Sequence, residues 1–429
     1  MTSLLVLFFV VSKKYFIFVC SLRYNEKMRT IKRQTYIDKV KPFIDSNLIK
    51  VFTGSRRAGK SVLMQLVQNE LIDSGVNTSQ ILALNFESRI DGKPMTGEIV
   101  WNKVKEKVSE TDKKVYLFFD EVQELNEWEK IVNSIQVDFD VDIYLTGSNA
   151  KLLSSELSTY LSGRYIEIKV YPFSFKEVVQ IKEESNIAID NKKLFREYII
   201  KGGYPVLYNY QMSYDDEMLY LSDLFNSIIL KDVAQRNNIR DVALFKQIVI
   251  FIMANVGNLF SATSVIKYLK NEKRNLSTET LYNYLDFCKS VYLVNMIQRQ
   301  NIIGKELLSS QNKIYMIDHG LRQAIYGNNQ RDINQILENI VCVELQRRGY
   351  NVTIGCIGAK EVDFCATKNE EVIYFQVTYL LASEETIERE FGSLMAIQDN
   401  YPKYVLSLDE LDFSRNGIIH KNIVEWLLE

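Results

Sequence analysis

Residues 53–61 read Thr-Gly-Ser-Arg-Arg-Ala-Gly-Lys-Ser and follow directly on the apolar run Leu48-Ile49-Lys50-Val51-Phe52. The spacing G-x-x-x-x-G-K-S behind a predicted strand describes a phosphate-binding loop, and it constrains the fold more than any other stretch of the chain. Gly54 and Gly59 let the backbone curl so that the N–H groups of Ser55, Arg56, Arg57, Ala58 and Gly59 turn toward phosphate oxygens. Lys60 supplies a point positive charge for the β- and γ-phosphates, and Ser61 offers a hydroxyl to Mg²⁺. Ser61 and Val62 open a helix that continues through Leu63, Leu66, Val67 and Leu71. Its N-terminal dipole favours the same anion. A strand before the loop and a helix after it separate this reading from a chance match in a glycine-containing turn. The ligands expected from it are ATP and Mg²⁺.

Near-continuous apolar runs recur between helical patterns at Leu48–Thr53, Ile81–Phe86, Val115–Phe119, Val141–Thr146 and Tyr165–Tyr171. Strands of that kind belong to a parallel sheet covered on both faces, so the expected class is α/β with a P-loop NTPase core. The third run ends Phe118-Phe119-Asp120-Glu121. Asp120 is placed to hold Mg²⁺, and Glu121 to orient and deprotonate the attacking water. The fourth run ends Thr146-Gly147-Ser148-Asn149, where Asn149 or Ser148 is a candidate γ-phosphate sensor; an ordinary strand-ending turn is the plainer alternative. Arg164 stands at the entry to the fifth run. It is a candidate finger for the γ-phosphate of its own or a neighbouring subunit, with an exposed arginine of no catalytic role as the alternative.

The set TGSRRAGKS, LFFDEVQELNEWE, YLTGSNA, YLSGRY, VYPFSFKEV and KGGYP resembles the AAA-superfamily ATPases of bacteria and archaea that carry an uncharacterised C-terminal region of nuclease-like fold. The resemblance runs from about Met28 to the C-terminus. It implies Lys60 and Ser61 for nucleotide and Mg²⁺, Asp120 and Glu121 for Mg²⁺ and water, and Arg164 as the finger. It also implies rings or dimers in which one subunit completes the next one's site. The implied activity is Mg²⁺-dependent ATP hydrolysis coupled to movement of the downstream modules. A nucleotide-dependent protein-binding switch with negligible turnover is the second reading, and a small-molecule kinase sharing the loop the third.

The expected organisation is an extension over 1–27, an ATPase core over 28–174, a helical lid over 175–237, a winged-helix module over 238–325 and a C-terminal domain over 326–429. In the winged-helix reading, helices run from about Leu244 to Asn255, after Ser261 and after Ser277-Thr278. A hairpin from Tyr292 to Ile317 forms the wing. Residues 240–325 carry 11 Lys and Arg against 6 Asp and Glu, and residues 326–429 carry 9 against 17. The middle segment is therefore the candidate for DNA. Thr280, Asn283 and Lys289 would face the groove, and Lys267, Lys270, Lys273 and Arg274 the phosphates. A plain protein-interaction module fits the same pattern.

A helix over 337–349 ending at Gly349, then strands Asn351–Ile354, Glu361–Ala366 and Val372–Thr378, resemble the restriction-endonuclease-like core. Asp363 fits the first acid of that core, and Glu338 or Glu344 the helix acid. The Glu-x-Lys position reads Gln376-Val377-Thr378, so a neutral amide and a hydroxyl stand where a carboxylate and a lysine belong. The expectation is a degenerate domain without nuclease activity, serving as a platform for a protein partner.

Two histidines and five scattered cysteines without a C-x-x-C pair exclude a Cys/His zinc site, and the cysteines read as reduced thiols of a cytoplasmic protein. The apolar runs within Met1–Leu22 are too short to span a bilayer and are interrupted by Lys13-Lys14. No membrane partner is expected, and Met28 is the expected native start.

Overall fold

The five apolar runs become strands close to where the sequence puts them: β1 (Ile49–Thr53), β2 (Ile81–Asn85), β3 (Val115–Asp120), β4 (Val141–Thr146) and β5 (Tyr165–Lys169). They form one parallel sheet in the order β2-β3-β4-β1-β5. The computed structural model describes residues 30–90, 92–149, 161, 163–184, 189–304 and 306–429. The expectations for residues 1–27 and for a start at Met28 lie outside these residues.

Both faces of the sheet are apolar, as helix-covered parallel strands require. On one face Val51, Leu117, Phe119, Ile143 and Leu145 pack with Val100, Val104, Trp128 and Val132. On the other, Phe52, Phe118, Tyr144 and Ile168 pack with Leu63 and Val67 of the helix Lys60–Asp73. Lys50 and Asp142 are a fully buried exception. They form an ion pair across β1 and β4, and the Tyr144 hydroxyl donates to Asp142 Oδ2 at 2.9 Å. A buried pair of this kind is stable only with such added hydrogen bonds.

Helices Phe175–Glu183, Asn191–Lys201 and Tyr214–Ser227 follow, the last running on as a π-helical segment over Ile228–Gln235. Ser174 caps the first in a capping box with Glu177. Helices Val242–Ala254, Ala262–Asn271 and Thr278–Ser290 come next, and the hydroxyls of Ser261 and Ser277 cap the last two as the sequence suggests.

The antiparallel hairpin β6 (Val294–Asn301) and β7 (Leu307–Met316) does not stand apart as a wing. Backbone groups on β6 pair in parallel with β8 (Asn351–Ile357), through Ile354↔Arg299 and Cys356↔Asn301. The hairpin thereby joins β9 (Lys360–Lys368), β10 (Glu371–Val377), β11 (Lys403–Ser407) and β12 (Ile419–Asn422) in a seven-stranded sheet, β12-β11-β10-β9-β8-β6-β7. One apolar core runs from Phe175, Tyr198 and Phe225 through Phe245 and Leu285 to Tyr315, Val341, Phe375 and Trp426. It crosses both boundaries expected from sequence, near 237 and near 325. The four described cysteines are buried and free. Among the described residues no helix is long and apolar enough to cross a membrane.

Candidate functional site

At the C-terminal end of β1 the chain turns at Gly54 with φ 139°, where a Cβ would fall 2.1 Å from the Val170 carbonyl oxygen. Only glycine fits that approach. The loop closes at Gly59, φ 96°, directly before the helix Lys60–Asp73. The Lys60 ammonium is buried and donates to the carbonyls of Gly54 and Ser55, both at 3.1 Å. Burial presses its pKa below the ordinary lysine value, against the opposing charges of Glu121, Asp120 and Asp232.

Asp120, at the end of β3, accepts from Ser61 Oγ at 3.0 Å and from Asn85 Nδ2 at 3.0 Å. Its strand is not beside β1, because β4 lies between them. Thr146, the last residue of β4, bridges the gap. Its hydroxyl donates to Asp120 Oδ1 at 2.5 Å and accepts the Glu121 N–H at 2.8 Å. Burial raises the Asp120 pKa, while the hydrogen bonds from Thr146 and Ser61 oppose the rise. Glu121 is half-buried with φ 53° and accepts from Gln123 Nε2. Ser148 and Asn149 are both buried beyond the tip of β4, where the Gly147 N–H donates to Phe52 O at 3.1 Å. Among the described residues nothing hydrogen-bonds the buried Ser148 hydroxyl.

Arg164 is elsewhere. Its carbonyl accepts from Ile49 N at 2.8 Å, and its exposed guanidinium donates to Asn133 Oδ1 at 3.3 Å. Because β5 is parallel to β1 and pairs from Ile49↔Tyr165 to Thr53↔Lys169, Arg164 lies at the opposite end of the sheet from the phosphate loop. Five residues of strand separate the two by about 16 Å. A role in its own subunit's site is excluded by that placement; a role toward a neighbour is not.

Four further side chains reach the loop or the two acids beside it. Arg33, buried at φ 45°, donates to the Ala58 carbonyl at 3.1 Å and to Glu177 Oε1 at 2.7 Å. The Tyr204 hydroxyl is 3.3 Å from Ser55 Oγ. The carboxylate of Asp232, on the π-helical segment, is 3.3 Å from Arg56 Nη1. Thr146 is the fourth. Thr146 and Tyr204 lie within the segments YLTGSNA and KGGYP, whereas Arg33 and Asp232 stand in none of the quoted segments.

The donor set suits a triphosphate and its metal. A buried ammonium, loop N–H groups, the orphaned Ser148 hydroxyl and a carboxylate tied to a serine hydroxyl converge at one end of the sheet. Among the described residues no three His, Cys, Asp or Glu side chains are arranged to cage a cation. Mg²⁺ in such sites takes one or two protein oxygens plus phosphates, and Asp120 and Ser61 would be those oxygens.

A second polar cluster lies in the C-terminal sheet. Asp363 and Gln376 are cross-strand neighbours, and the Asp363 N–H donates to Gln376 Oε1 at 3.3 Å. Glu338 reaches the cluster from the helix Ile333–Arg347, whereas Glu344 pairs with Arg347 and Arg348 instead. The positive charge expected to be missing is present. Lys313, from β7, lies 2.9 Å from Glu361, 3.3 Å from Glu338 and 3.9 Å from Asp363. The Tyr315 hydroxyl donates to Glu338 Oε2 at 3.0 Å. Burial works against the Lys313 charge, but Glu338, Asp363 and Glu361 more than offset it and raise its pKa. A lysine some sixty positions away from Thr378 is invisible to a motif read along one strand.

On the helix Thr278–Ser290, Asn283 and Lys289 are exposed, together with Asp286. Thr280 is tied to Ser277 at 2.8 Å, and Arg274 pairs with Asp241 at 2.9 Å. Lys267, Lys270 and Lys273 are exposed.

A parallel sheet with a phosphate loop at the end of β1, Asp120 at the end of β3 and a downstream helical region define an AAA-type P-loop ATPase. A family model for the AAA domain matches residues 46–179, and one for a domain of unknown function matches residues 192–332. An uncharacterised protein of Haemophilus influenzae is 37% identical over 403 residues, 93% of this chain and 99% of that one. One from Methanocaldococcus jannaschii is 30% identical over 397 residues, 88% of this chain and 84% of its own. The chain belongs to the family of AAA-type P-loop proteins that these two represent. A solved Walker-type ATPase of Pyrococcus abyssi is similar over 68% of this chain and 95% of its own, with 15% identity and a TM-score of 0.49.

Proposed function

We propose that the chain binds ATP with Mg²⁺ and hydrolyses it, using the cycle to shift the helical lid and the modules packed on it. The observation that carries this reading is the meeting of Ser61 and Asp120 at 3.0 Å, with Glu121 held next to them by Thr146. Lys60 and the loop N–H groups hold the phosphates in place. Bound Mg²⁺ would neutralise phosphate charge. Glu121 takes a proton from water as the water oxygen bonds to the γ-phosphorus; the bond to the bridging oxygen breaks, and ADP leaves with that electron pair. Ser148 and Asn149 are the candidates to sense the γ-phosphate. Steady-state phosphate release tests the reading, with Lys60→Ala as blank. Turnover that falls in Glu121→Gln while ATP binding persists supports it. Wild-type protein that binds ATP without turnover would replace it with the nucleotide-dependent switch.

The middle segment is proposed to meet DNA phosphates through Lys267, Lys270 and Lys273, with Asn283 and Lys289 toward the groove; all five are exposed. The acidic C-terminal sheet is proposed as the side for a protein partner, in a cytoplasmic protein. Arg164, being exposed and remote from its own loop, is proposed to act toward a second copy. DNA binding that weakens steeply with salt, with a slope that lessens in Lys267→Ala/Lys270→Ala, supports the phosphate contacts.

A further inference from the structure

The remoteness of Arg164 leaves the loop without an arginine from that position in its own subunit. Arg56 lies inside the phosphate loop. Its side chain is a quarter exposed and its guanidinium meets Asp232, whose carboxylate is almost wholly buried. Asp232 belongs to the π-helical segment over Ile228–Gln235. Such turns are uncommon and recur at functional sites. Burial raises the Asp232 pKa, and Arg56 and Arg236 oppose the rise. Asp232 also feels Glu121 and Lys60, so it lies within the field of the phosphate site itself.

We propose that Arg56 is the arginine that engages the γ-phosphate within its own subunit, and that Asp232 is its positioning residue, which the γ-phosphate displaces. This rests on the ATPase reading. A buried carboxylate cannot be left without a cation. Arg236 meets that need: its Nη2 is 4.0 Å from Asp232 Oδ1 and 3.8 Å from Glu124 Oε1. When Arg56 turns to the phosphate, Arg236 remains to neutralise Asp232. The exchange of one anionic partner for another transmits the presence of the third phosphate to the π-helical segment. That segment continues the helix Tyr214–Ser227, whose Leu221 and Phe225 lie in the core shared with the C-terminal sheet.

The test uses the full chain and measures ATP affinity, ADP affinity and trapping of ADP with aluminium fluoride, which mimics the transferring phosphoryl group. Wild type is compared with Arg56→Ala, Arg56→Lys and Asp232→Asn. In Arg56→Ala, trapping and turnover should fall by roughly 10²-fold or more, within the range that arginines supply in such sites, while ADP affinity changes little. Arg56→Lys should recover part of the trapping. Asp232→Asn should tighten ATP by roughly 5- to 20-fold while ADP moves less than threefold, as expected of a removed competitor. Full trapping in Arg56→Ala, or an unchanged ATP-to-ADP affinity ratio in Asp232→Asn, overturns the proposal while leaving the ATPase reading intact. A wild-type chain that binds neither nucleotide removes both.

Discussion

The hydroxyl of Tyr204 lies 3.3 Å from the hydroxyl of Ser55, so the Gly-Gly-Tyr-Pro segment touches the phosphate loop directly. The two glycines make that approach feasible. A Cβ on Gly203 would sit 2.1 Å from the Phe173 carbonyl oxygen, and the Gly203 N–H donates to Asp318 Oδ2 at 2.7 Å. Nucleotide loop, lid and the segment that follows β7 thus meet within a few residues. Tyr204→Phe removes one buried hydrogen bond and should cost about 1 kcal/mol of unfolding free energy, with weaker ATP binding. Urea unfolding and equilibrium dialysis measure the two effects.

Thr146 orients both acids of the site at once. Thr146→Val keeps the shape of the side chain and removes its hydroxyl. By the scale of groups that orient ligands rather than contact them, turnover should fall roughly 10- to 100-fold, while ATP binding persists. An unchanged steady-state rate would show that Asp120 and Glu121 do not depend on Thr146.

The Lys313 ammonium is held within the carboxylate cluster, 2.9 Å from Glu361 and 3.3 Å from Glu338. Duplex DNA incubated with the protein and Mg²⁺ or Mn²⁺ should remain uncut; cleavage abolished by Asp363→Ala would contradict this. Lys313→Met leaves Glu338 and Asp363 buried without their cation and should destabilise the fold by about 3–5 kcal/mol. Chemical denaturation measures the loss.

His319 is buried and donates from Nε2 to the Tyr198 carbonyl at 2.7 Å. Burial lowers its pKa from the ordinary 6.5, against the charge of Asp318. The unfolded chain therefore takes up this proton first as pH falls. The contribution is complete above about pH 6.5 and is lost progressively below it. Thermal unfolding between pH 7.5 and 5.5 should show a decline that His319→Gln flattens.

Much of the nucleotide core is legible because its cues are local. A loop with two glycines, a lysine and a serine specifies its own backbone, and Asp120-Glu121 ends an apolar run. The partners of those groups are not legible. Asn85, Thr146, Arg33 and Tyr204 arrive by strand order and helix packing, which no spacing along the chain encodes. The same holds for Lys313, which reaches Asp363 through the pairing of β6 with β8. Arg164 illustrates the converse: its tripeptide Ser-Gly-Arg reads well, but parallel pairing of β5 with β1 carries it away from its own subunit's loop and leaves only the reading toward a neighbour.

The fusion of β6 to β8 decides where this protein can be divided. A cut near residue 325 follows the sequence but would strip the backbone partners from Arg299, Gln300 and Asn301 along the edge of β6. Unpaired strand edges of that kind template association between chains. A fragment ending near 325 would be a poor test of DNA binding, because any self-association would arise from the exposed edge rather than from the helices. The smallest faithful unit for such work keeps the hairpin with the whole C-terminal sheet.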